Sequence, residues 1–197
     1  MILNASPRAP KSNSKRYAQL FSAHSNMQVE YFNVSKTNHG ELCANMGMFS
    51  DVLLVFPLYA DAIPVTLLNF LKTLEQNPPE KNPTLSVIIN CGFLECRQNE
   101  IAVQMIALFC KQNQYPLGSI LKIGSGEAIL DSPFRILVER KMRKFAQSIS
   151  HKSYQTFQVT MPLPKRLFIL ASTQYWTNYG KKYGTTKEQM ETMQTEQ

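Results

Sequence analysis

The feature that most constrains the fold is the run Asp51-Val-Leu-Leu-Val-Phe-Pro57, in which an unbroken apolar stretch ends at a proline. A strand that is buried on both faces has such a continuous stretch, whereas a strand with one wet face alternates apolar and polar residues. Proline ends the strand because it has no amide hydrogen for the sheet ladder. We therefore interpret this run as a central strand of a parallel sheet that has helices on both faces.

Short apolar runs alternate with longer segments of helical period along most of the chain, which is typical of successive βα units. The predicted strands are residues 1–5, 29–34, 51–57, 85–90 and 117–123. The predicted helices are residues 14–24, 63–75, 100–112 and 133–149. This alternation predicts the α/β class, with a doubly wound parallel sheet of five strands in the order 2-1-3-4-5.

The 197 residues fit one compact domain or one domain with an appended segment, because domains commonly have about 100 to 200 residues. From Pro162 onward the alternation stops and the chain continues as an apolar patch and a polar tail. We predict a domain over residues 1–161 and a C-terminal extension over residues 162–197 that packs on the domain or on a partner subunit. Aromatic residues of the extension suit such an interface: Tyr175, Trp176, Tyr179 and Tyr183. The tail over residues 185–197 is interpreted as a weak amphipathic helix or a frayed end.

Composition and the first residues narrow the class of protein. Hydrophobic residues make up 44% and charged residues 18%, which excludes a disordered chain. The N-terminal residues do not have the charged, apolar and small-residue segments of a secretory signal. No apolar run approaches the roughly 18 residues of a membrane span. We therefore expect a cytoplasmic protein with no membrane partner.

The chain has four cysteines, Cys43, Cys91, Cys96 and Cys110, and no C-x-x-C pair. Neither a zinc ribbon nor a thioredoxin-like redox motif is indicated, and we expect no metal site. The cysteines are interpreted as reduced thiols. For Cys91 and Cys96 the alternative is a redox role, which requires that they are exposed near a helix N-terminus.

The formal net charge is +7, and much of it lies on one predicted helix. Residues 135–152 contain six Lys or Arg and a single acid, Glu139. Apolar residues recur there at helical spacing, so we interpret the segment as a helix with a solvated basic face. The alternative is that this face attracts an anionic dinucleotide or a nucleic acid.

Ligands of open parallel sheets bind beyond the carboxyl ends of the strands, so the loops after the first, third and fourth strands are the candidates. The first of these loops covers residues 6–14 and precedes a predicted helix. Hydroxyl, amide and cationic groups of the loop, with the helix N-terminus, suit a phosphate. These groups belong to Ser6, Arg8, Lys11, Ser12, Asn13 and Ser14. The loop lacks the P-loop and dinucleotide glycine patterns. The alternative is a polar turn in which Ser12 or Ser14 caps the helix.

The second loop covers residues 57–64. Two prolines and an aromatic residue give a stiff ledge for a planar ring, formed by Pro57, Leu58, Tyr59 and Ala60 with their backbone groups at the ring's edge. The alternative is an ordinary packed connection in which Asp61 caps the next helix.

The third loop is Asn90-Cys91-Gly92-Phe93-Leu94-Glu95-Cys96. Gly92 permits close backbone approach or a positive φ, and Phe93 offers an aromatic face. Glu95 either accepts a hydrogen bond from a ligand or favours the start of the next helix. A turn at residues 124–127 follows the fifth strand, and its reach to the site is left open.

Taken together, the three loops resemble those of the flavodoxin-like NADPH-dependent FMN reductase family. The resemblance rests on Ile-Leu-Asn-Ala-Ser-Pro-Arg with Ser12-Asn13-Ser14, on Phe-Pro-Leu-Tyr-Ala-Asp-Ala-Ile-Pro and on Cys-Gly-Phe-Leu-Glu. It implies that Ser6, Arg8, Ser12, Asn13 and Ser14 hold the FMN phosphate. It also implies that the flavin ring is bordered by Pro57, Leu58, Tyr59, Ala60, Asn90, Cys91, Gly92 and Phe93, with Glu95 nearby. This chain has Asn4-Ala5 where the family often has a glycine.

By that resemblance the protein is an enzyme whose chemistry is carried by the flavin. It would transfer hydride from NADPH or NADH through FMN to a quinone, nitro-aromatic, azo compound, flavin or similar acceptor, as a homodimer. Two alternatives stay open. One is a flavodoxin-like electron carrier, and the other is a flavin-free interaction domain that uses its basic helix. A nucleic-acid partner is expected only under the second alternative.

Overall fold

A computed structural model of the protein describes residues 1–9 and 11–192. The chain divides into two compact units, Met1–Met161 and Pro162–Gln197. The last part of the predicted tail, residues 193–197, lies outside the described residues.

The first unit has the α/β class and the parallel sheet that the sequence predicts. Its strands are β1 (Ile2–Asn4), β2 (Tyr31–Asn33), β3 (Asp51–Pro57), β4 (Thr84–Asn90), β5 (Leu117–Ile123) and β6 (Thr156–Val159). Its helices are α1 (Asn13–His24), α2 (His39–Met46), α3 (Val65–Gln76), α4 (Glu100–Gln112) and α5 (Arg135–Ser150). The strand order is β2-β1-β3-β4-β5-β6, and every neighbouring pair is parallel.

The interpretation of β3 as a central buried strand is confirmed, because every side chain from Val52 to Phe56 is at most 4% exposed. Leu54 and Phe56 face one side of the sheet, where they join the apolar cluster of α2, α3 and α4. Leu53 and Val55 alternate with them and face the other side. The carboxyl end of β3 is thus held rigidly between two layers of helices.

The prediction of five strands is wrong, because β6 adds a sixth. It pairs with β5, with Ile120 opposite Thr156 and Ile123 opposite Val159. Its sequence signal is weak, since the strand has only four residues and two of them, Thr156 and Gln158, are exposed. The helix α2 is also absent from the sequence prediction.

The connection from β5 through α5 to β6 has the opposite hand to the others. Helices α1 and α5 lie on the same face of the sheet, where the rings of Phe21 and Phe145 are 5.8 Å apart. The connection from β1 through α1 runs toward the β2 edge of the sheet. The connection from β5 through α5 runs the opposite way, toward the β6 edge. Helices α2, α3 and α4 lie on the other face of the sheet, and their connections run toward the β6 edge. Because both the face and the direction are reversed, these connections have the same hand as the one through α1. Because about 98% of such connections are right-handed, the α5 connection is the left-handed exception.

The second unit is helical in its described part. It contains α6 (Lys165–Lys182) and the short α7 (Lys187–Glu191), which occupies part of the predicted tail. A capping box begins α7, because Thr186 accepts from the Gln189 amide and the Gln189 side chain accepts from the Thr186 amide. Within the described parts of both units, no helix is long and apolar enough to cross a membrane.

Candidate functional site

A cleft of about 640 Å³ opens at the carboxyl ends of β1, β3 and β4. Much of its wall is the first loop and the first turn of α1, including Ser6, Arg8, Lys11, Ser12, Asn13 and Ser14. The rest comes from Pro57, Leu58 and Tyr59 after β3, from Asn90 at the end of β4, and from Glu127. The edge of the sheet thus brings residues of the three predicted loops into one concave site.

The N-terminus of α1 points its free amide groups into the first-loop region. Ser12 is the N-cap, and its Oγ accepts from the Lys15 amide at 3.2 Å. The first amides of a helix, here those of Asn13 and Ser14, have no acceptor within the helix. Together with the helix dipole they favour an anion at this end. The capping role of Ser12 is therefore compatible with a phosphate site.

The three serine hydroxyls of the first loop accept hydrogen bonds from the protein and keep their own protons. Ser6 Oγ accepts from the Arg8 amide at 3.3 Å, and Ser14 Oγ accepts from Asn90 Nδ2 at 3.1 Å. Ser12 Oγ accepts from the helix amide described above. A hydroxyl has one proton to donate, and among the described residues none of these three protons has an acceptor. The loop therefore offers three O–H donors to an anion.

Asn4, which the sequence reasoning did not count as a site residue, holds this loop in place. The side chain is fully buried, and its Oδ1 accepts from the Ser6 amide at 3.1 Å. Its Nδ2 donates to the Tyr31 hydroxyl at 2.8 Å and lies 3.4 Å from Ser12 Oγ. The asparagine thus links the ends of β1 and β2 to both ends of the loop.

Positive charge dominates the cleft. Four cations line it, Arg8, Lys11, Lys15 and Arg16, against the single carboxylate of Glu127. Arg16 is engaged outside, because its guanidinium donates to both carboxylate oxygens of Asp131, one at 2.9 Å. That pairing lowers the pKa of Asp131. Among the described residues the other three cations have no ion pair, so their charge is available to an anionic ligand.

The second loop is a tight turn whose amides are mostly engaged. The Leu58 amide donates to the Asn90 carbonyl at 2.7 Å, and Tyr59 and Ala62 exchange two backbone hydrogen bonds. Between them Ala60 and Asp61 have φ of 49° and 56°, the pattern of a type I′ turn. Non-glycine residues adopt this conformation at a cost, so the turn stores strain at the cleft.

The predicted role of backbone groups at 58–60 needs a correction. The amides of Leu58 and Tyr59 are taken by the protein itself, whereas those of Ala60 and Asp61 donate to no acceptor among the described residues. The Tyr59 ring is 57% exposed and supplies an aromatic face beside the cleft. Asp61 does not cap α3, since the N-cap residue is Pro64.

Asn90 is the buried floor residue of the cleft, at 4% exposure. Its Nδ2 donates both to Ser14 Oγ and to the Phe56 carbonyl, at 3.1 and 3.2 Å. Its carbonyl accepts from the second loop, as described above. The amide side chain is therefore fixed, and it couples the first loop to the end of β3.

The third loop contributes less to the cleft wall than predicted. Cys91, Gly92, Phe93 and Glu95 lie outside the lining, as does Ala60 of the second loop. The Cys91 side chain is buried, and both its backbone groups are engaged, the amide with Ile123 and the carbonyl with Gly126. Gly92 does not have a positive φ, and a Cβ there would lie 3.9 Å from Glu127 Cγ. The protein itself therefore does not require glycine at this position.

The turn at residues 124–127, whose reach was left open, does extend to the cleft through Glu127. Gly126 lets this turn pack against β4, because a Cβ there would lie 2.9 Å from Asn90 Cβ and 3.1 Å from the Cys91 carbonyl oxygen. The buried Tyr17 of α1 donates to the Gly126 carbonyl at 2.7 Å. The site thus has a fourth loop that is tied to the first helix.

The last residue of β6 and the residue that follows it hold the third and fourth loops together. The Thr160 hydroxyl donates to the Leu94 carbonyl at 2.6 Å and lies 3.0 Å from Ser125 Oγ. The Val159 carbonyl accepts from the Gly124 amide at 2.9 Å. We call Val159 and Thr160 the clasp. No residue of the clasp was singled out from the sequence, since its partners are distant along the chain.

The basic face of α5 does not line the cleft. Arg135 pairs with Glu139 on the same helix at 2.8 Å, and Arg140, Arg143 and Lys144 are exposed. The apolar side of the helix is buried, with Val138, Met142 and Phe145 in the core. This agrees with the interpretation of a helix with a solvated basic face.

The four cysteines are buried and free. Burial raises the pKa of Cys91 to about 11 and that of Cys110 to about 12, and it also raises the pKa of Cys96. A thiol of pKa 11 is ionised to only about one part in ten thousand at pH 7, and the thiolate is the reactive form. These environments favour structural thiols over the redox alternative for Cys91 and Cys96.

We therefore predict that the native protein reacts slowly with iodoacetamide at pH 7, at least about 100-fold more slowly than the urea-unfolded chain. Because the pKa values are raised, the rate should climb with pH up to about 11. Mass spectrometry of tryptic peptides identifies each labelled cysteine. Fast labelling of Cys91 or Cys96 at pH 7 would contradict the structural interpretation.

No protein-family model matches the sequence, and no curated protein matches it. Solved structures do match the fold. The NAD(P)H:quinone oxidoreductase of Methanothermobacter marburgensis has a TM-score of 0.57 at 12% identity, over 76% of this chain and 96% of its own. An azoreductase of Bacillus anthracis str. Sterne has a TM-score of 0.54 at 14% identity, over 77% and 97%.

The flavodoxin of Streptococcus pneumoniae TIGR4 gives a TM-score of 0.56 at 11% identity, over 77% of this chain and 97% of its own. Identities this low show a shared architecture and leave the activity to be argued from the site. The order β2-β1-β3-β4-β5 agrees with that architecture. The chain therefore has the flavodoxin-like fold that these quinone reductases, azoreductases and flavodoxins share.

Proposed function

We propose that the chain is an FMN-dependent oxidoreductase that takes hydride from NADPH or NADH and passes it to a small-molecule acceptor such as a quinone, a nitro-aromatic, an azo compound or a flavin. The observation that carries the proposal is the donor set of the first loop. The first loop and the start of α1 bring to the cleft three hydroxyl protons, two helix amides and three cations that form no ion pair among the described residues. This set suits a phosphate monoester, which has several acceptor oxygens and a double negative charge.

In this proposal the phosphate is held by the hydroxyls of Ser6, Ser12 and Ser14, by the free amides at Asn13 and Ser14, and by the Arg8 side chain. When bound, FMN supplies the hydride and electron-transfer chemistry at its ring. The ring end of the site is the ledge of Pro57, Leu58 and Tyr59 and the fixed amide of Asn90. We further propose that Ala60, Gly92, Phe93 and Glu95 form an outer border of the flavin ring. The buried Cys91 packs beneath this border.

The chain's own groups orient the ligand by charge. Glu127 is the one acid of the cleft lining among four cations, so an anionic group is attracted to the first loop and the start of α1 and is repelled by Glu127. The exposed rings of Tyr59 and Phe93 are suited to cover a planar ring and to exclude water from its face. The positive cleft also attracts a negatively charged dinucleotide, which supports the reductase over an electron carrier without its own substrate.

The test is a titration of the purified protein with FMN and with riboflavin, which lacks the phosphate, followed by visible absorbance. Hydrogen bonds to a charged group contribute about 1.5 to 3 kcal/mol each. Three of them and the helix dipole predict that FMN binds at least about 1000-fold more tightly than riboflavin. Equal affinity for the two would contradict the proposed phosphate site, and no binding of either would contradict the proposed cofactor.

A serine variant sharpens the same titration. Ser6→Ala removes one of the three donors and should weaken FMN binding about 10- to 100-fold while leaving riboflavin unchanged. Ser22→Ala is the matched control, because the Ser22 hydroxyl donates to the Ala18 carbonyl within α1, away from the cleft. Prompt bleaching of the flavin bands by anaerobic NADPH or NADH separates the reductase from the electron-carrier alternative. An equal loss of affinity in Ser6→Ala and Ser22→Ala would contradict the role of the Ser6 hydroxyl as a phosphate donor.

A further inference from the structure

The helix α6 of the second unit carries an aromatic stripe. Phe168, Tyr175, Trp176, Tyr179 and Tyr183 recur at helical spacing and so fall on one side of the helix. Tyr175, Trp176 and Tyr179 are 47%, 41% and 44% exposed. The rings from Tyr175 to Tyr183 contact one another along the stripe, with the centroids of Trp176 and Tyr179 5.8 Å apart. Exposed aromatic patches of this kind usually mark an interaction surface.

The ends of α6 are both basic. Lys165 and Arg166 begin the helix, and Lys181 and Lys182 end it. From Pro162 to Thr186 the sequence contains no acidic residue. The acids of this unit, Glu188, Glu191 and Glu196, all follow α6 in the sequence. The stripe is therefore framed by four basic residues, and three of them, Arg166, Lys181 and Lys182, form no ion pair among the described residues. These three charges favour a negatively charged partner surface.

We propose that α6 lies flat on an anionic phospholipid surface, with its aromatic stripe among the headgroups and its terminal cations on the lipid phosphates. Tyr and Trp favour this zone because one part of the ring is apolar and the other can hydrogen-bond. Lys and Arg can extend their charged ends to phosphates while their stems stay along apolar surface. The inference goes beyond the proposed function and does not rest on it. It revises the sequence expectation of no membrane partner without requiring a membrane span.

Charge argues against a second copy of α6 as the partner. Both ends of the helix are positive, so parallel and antiparallel pairing of two copies alike bring cations together. Like charges across an interface disfavour association, whereas an anionic lipid surface is complementary to both ends at once. The observations therefore favour the lipid over self-association.

The chain has a single tryptophan, Trp176, so its emission reports on α6 alone. The experiment mixes the full-length protein with vesicles of phosphatidylcholine, with or without phosphatidylglycerol, and measures tryptophan emission and co-sedimentation. The inference predicts a blue shift and pelleting with phosphatidylglycerol vesicles, little of either with phosphatidylcholine alone, and release by high salt. An unchanged emission on anionic vesicles would overturn it. So would an emission that is already blue-shifted without vesicles and shifts to the red on dilution, because that result indicates a second copy.

A pair of matched variants locates the binding surface. Each Lys or Arg near an anionic leaflet contributes about fivefold to affinity, so Lys181→Glu with Lys182→Glu should weaken vesicle binding at least about 30-fold. Arg143→Glu with Lys144→Glu makes the same change of net charge on the exposed face of α5 and should cost less than about threefold. Circular dichroism checks that both variants are folded. Equal losses in the two variants would assign the binding to overall charge and overturn the role of α6.

Discussion

Replacing Glu100 by alanine is expected to lower the free energy of unfolding by about 3 kcal/mol. Lys122 lies on β5 with its side chain only 8% exposed, and its Nζ is 2.8 Å from Glu100 Oε2 at the start of α4. Alanine would leave the ammonium group buried without its partner, and breaking such a pair costs about 3 to 5 kcal/mol. The lower end applies because Glu100 itself is 45% exposed and water can reach its place. Urea unfolding followed by circular dichroism measures the loss.

Two controls distinguish the cost of leaving Lys122 without its partner from the cost of shortening the Glu100 side chain. Lys122→Met added to Glu100→Ala removes the charge as well, so the double variant should be more stable than the single one. Glu139→Ala breaks the exposed pair with Arg135, which should cost less than about 1 kcal/mol. If Glu100→Ala costs no more than Glu139→Ala, the ion pair between Lys122 and Glu100 does not stabilise the sheet.

The second large effect is expected from Gly124→Ala, at about 3 kcal/mol. A Cβ at Gly124 would lie 2.6 Å from the Leu94 carbonyl oxygen and 2.8 Å from Thr160 Oγ1. The first of these atoms belongs to the backbone and cannot rotate away, so the third loop or the clasp must move. The clasp hydrogen bond between Thr160 and Leu94 would be lost first. Thermal unfolding measures the stability, and FMN titration measures the effect on the site.

Gly92→Ala is the matched control, because it makes the same change in the same pair of loops. A Cβ at Gly92 meets only Glu127 Cγ, at 3.9 Å, and the backbone there has no positive φ. Alanine should therefore leave the stability unchanged or raise it by about 0.5 kcal/mol. A loss of FMN affinity in Gly92→Ala without loss of stability would support Gly92 as a border of the flavin. A cost in stability similar to that of Gly124→Ala would contradict the steric argument.

The sequence predicts those strands and helices whose side chains are buried in the core. The strands β3, β4 and β5 have long apolar runs, and the helices α1, α3, α4 and α5 have apolar stripes, so local pattern and tertiary structure agree. The helix α2 and the strand β6 lack such patterns. Asn38-His39-Gly40 gives a polar start to α2, and β6 is a short edge strand whose pairing is set by β5 rather than by its own residues.

The sequence predicts which loops form the site, but it does not predict which individual hydrogen-bonding groups are free to bind a ligand. Loops at the carboxyl ends of parallel strands are fixed by topology, which is why residues 6–8, 11–14 and 57–59 and Asn90 come together in the cleft. Which backbone amides remain free depends on contacts between distant segments, such as that of Leu58 with Asn90. Asn4 and Thr160 were missed for the same reason, because each bonds to a residue that is distant along the chain, Tyr31 and Leu94 respectively. The reach of Glu127 to the cleft depends likewise on how its turn packs against β4.

The left-handed connection ends in β6, the edge strand that holds the rim of the cleft through Val159 and Thr160. Strand β6 has only four residues, lies at the edge of the sheet and is largely exposed, so it can open locally without unfolding the core. Opening β6 would release Val159 and Thr160, and with them Gly124 and Leu94. Amide hydrogen exchange at Gly124 should then be governed by this local opening rather than by global unfolding. A ligand that orders the rim would slow that exchange even where it makes no contact.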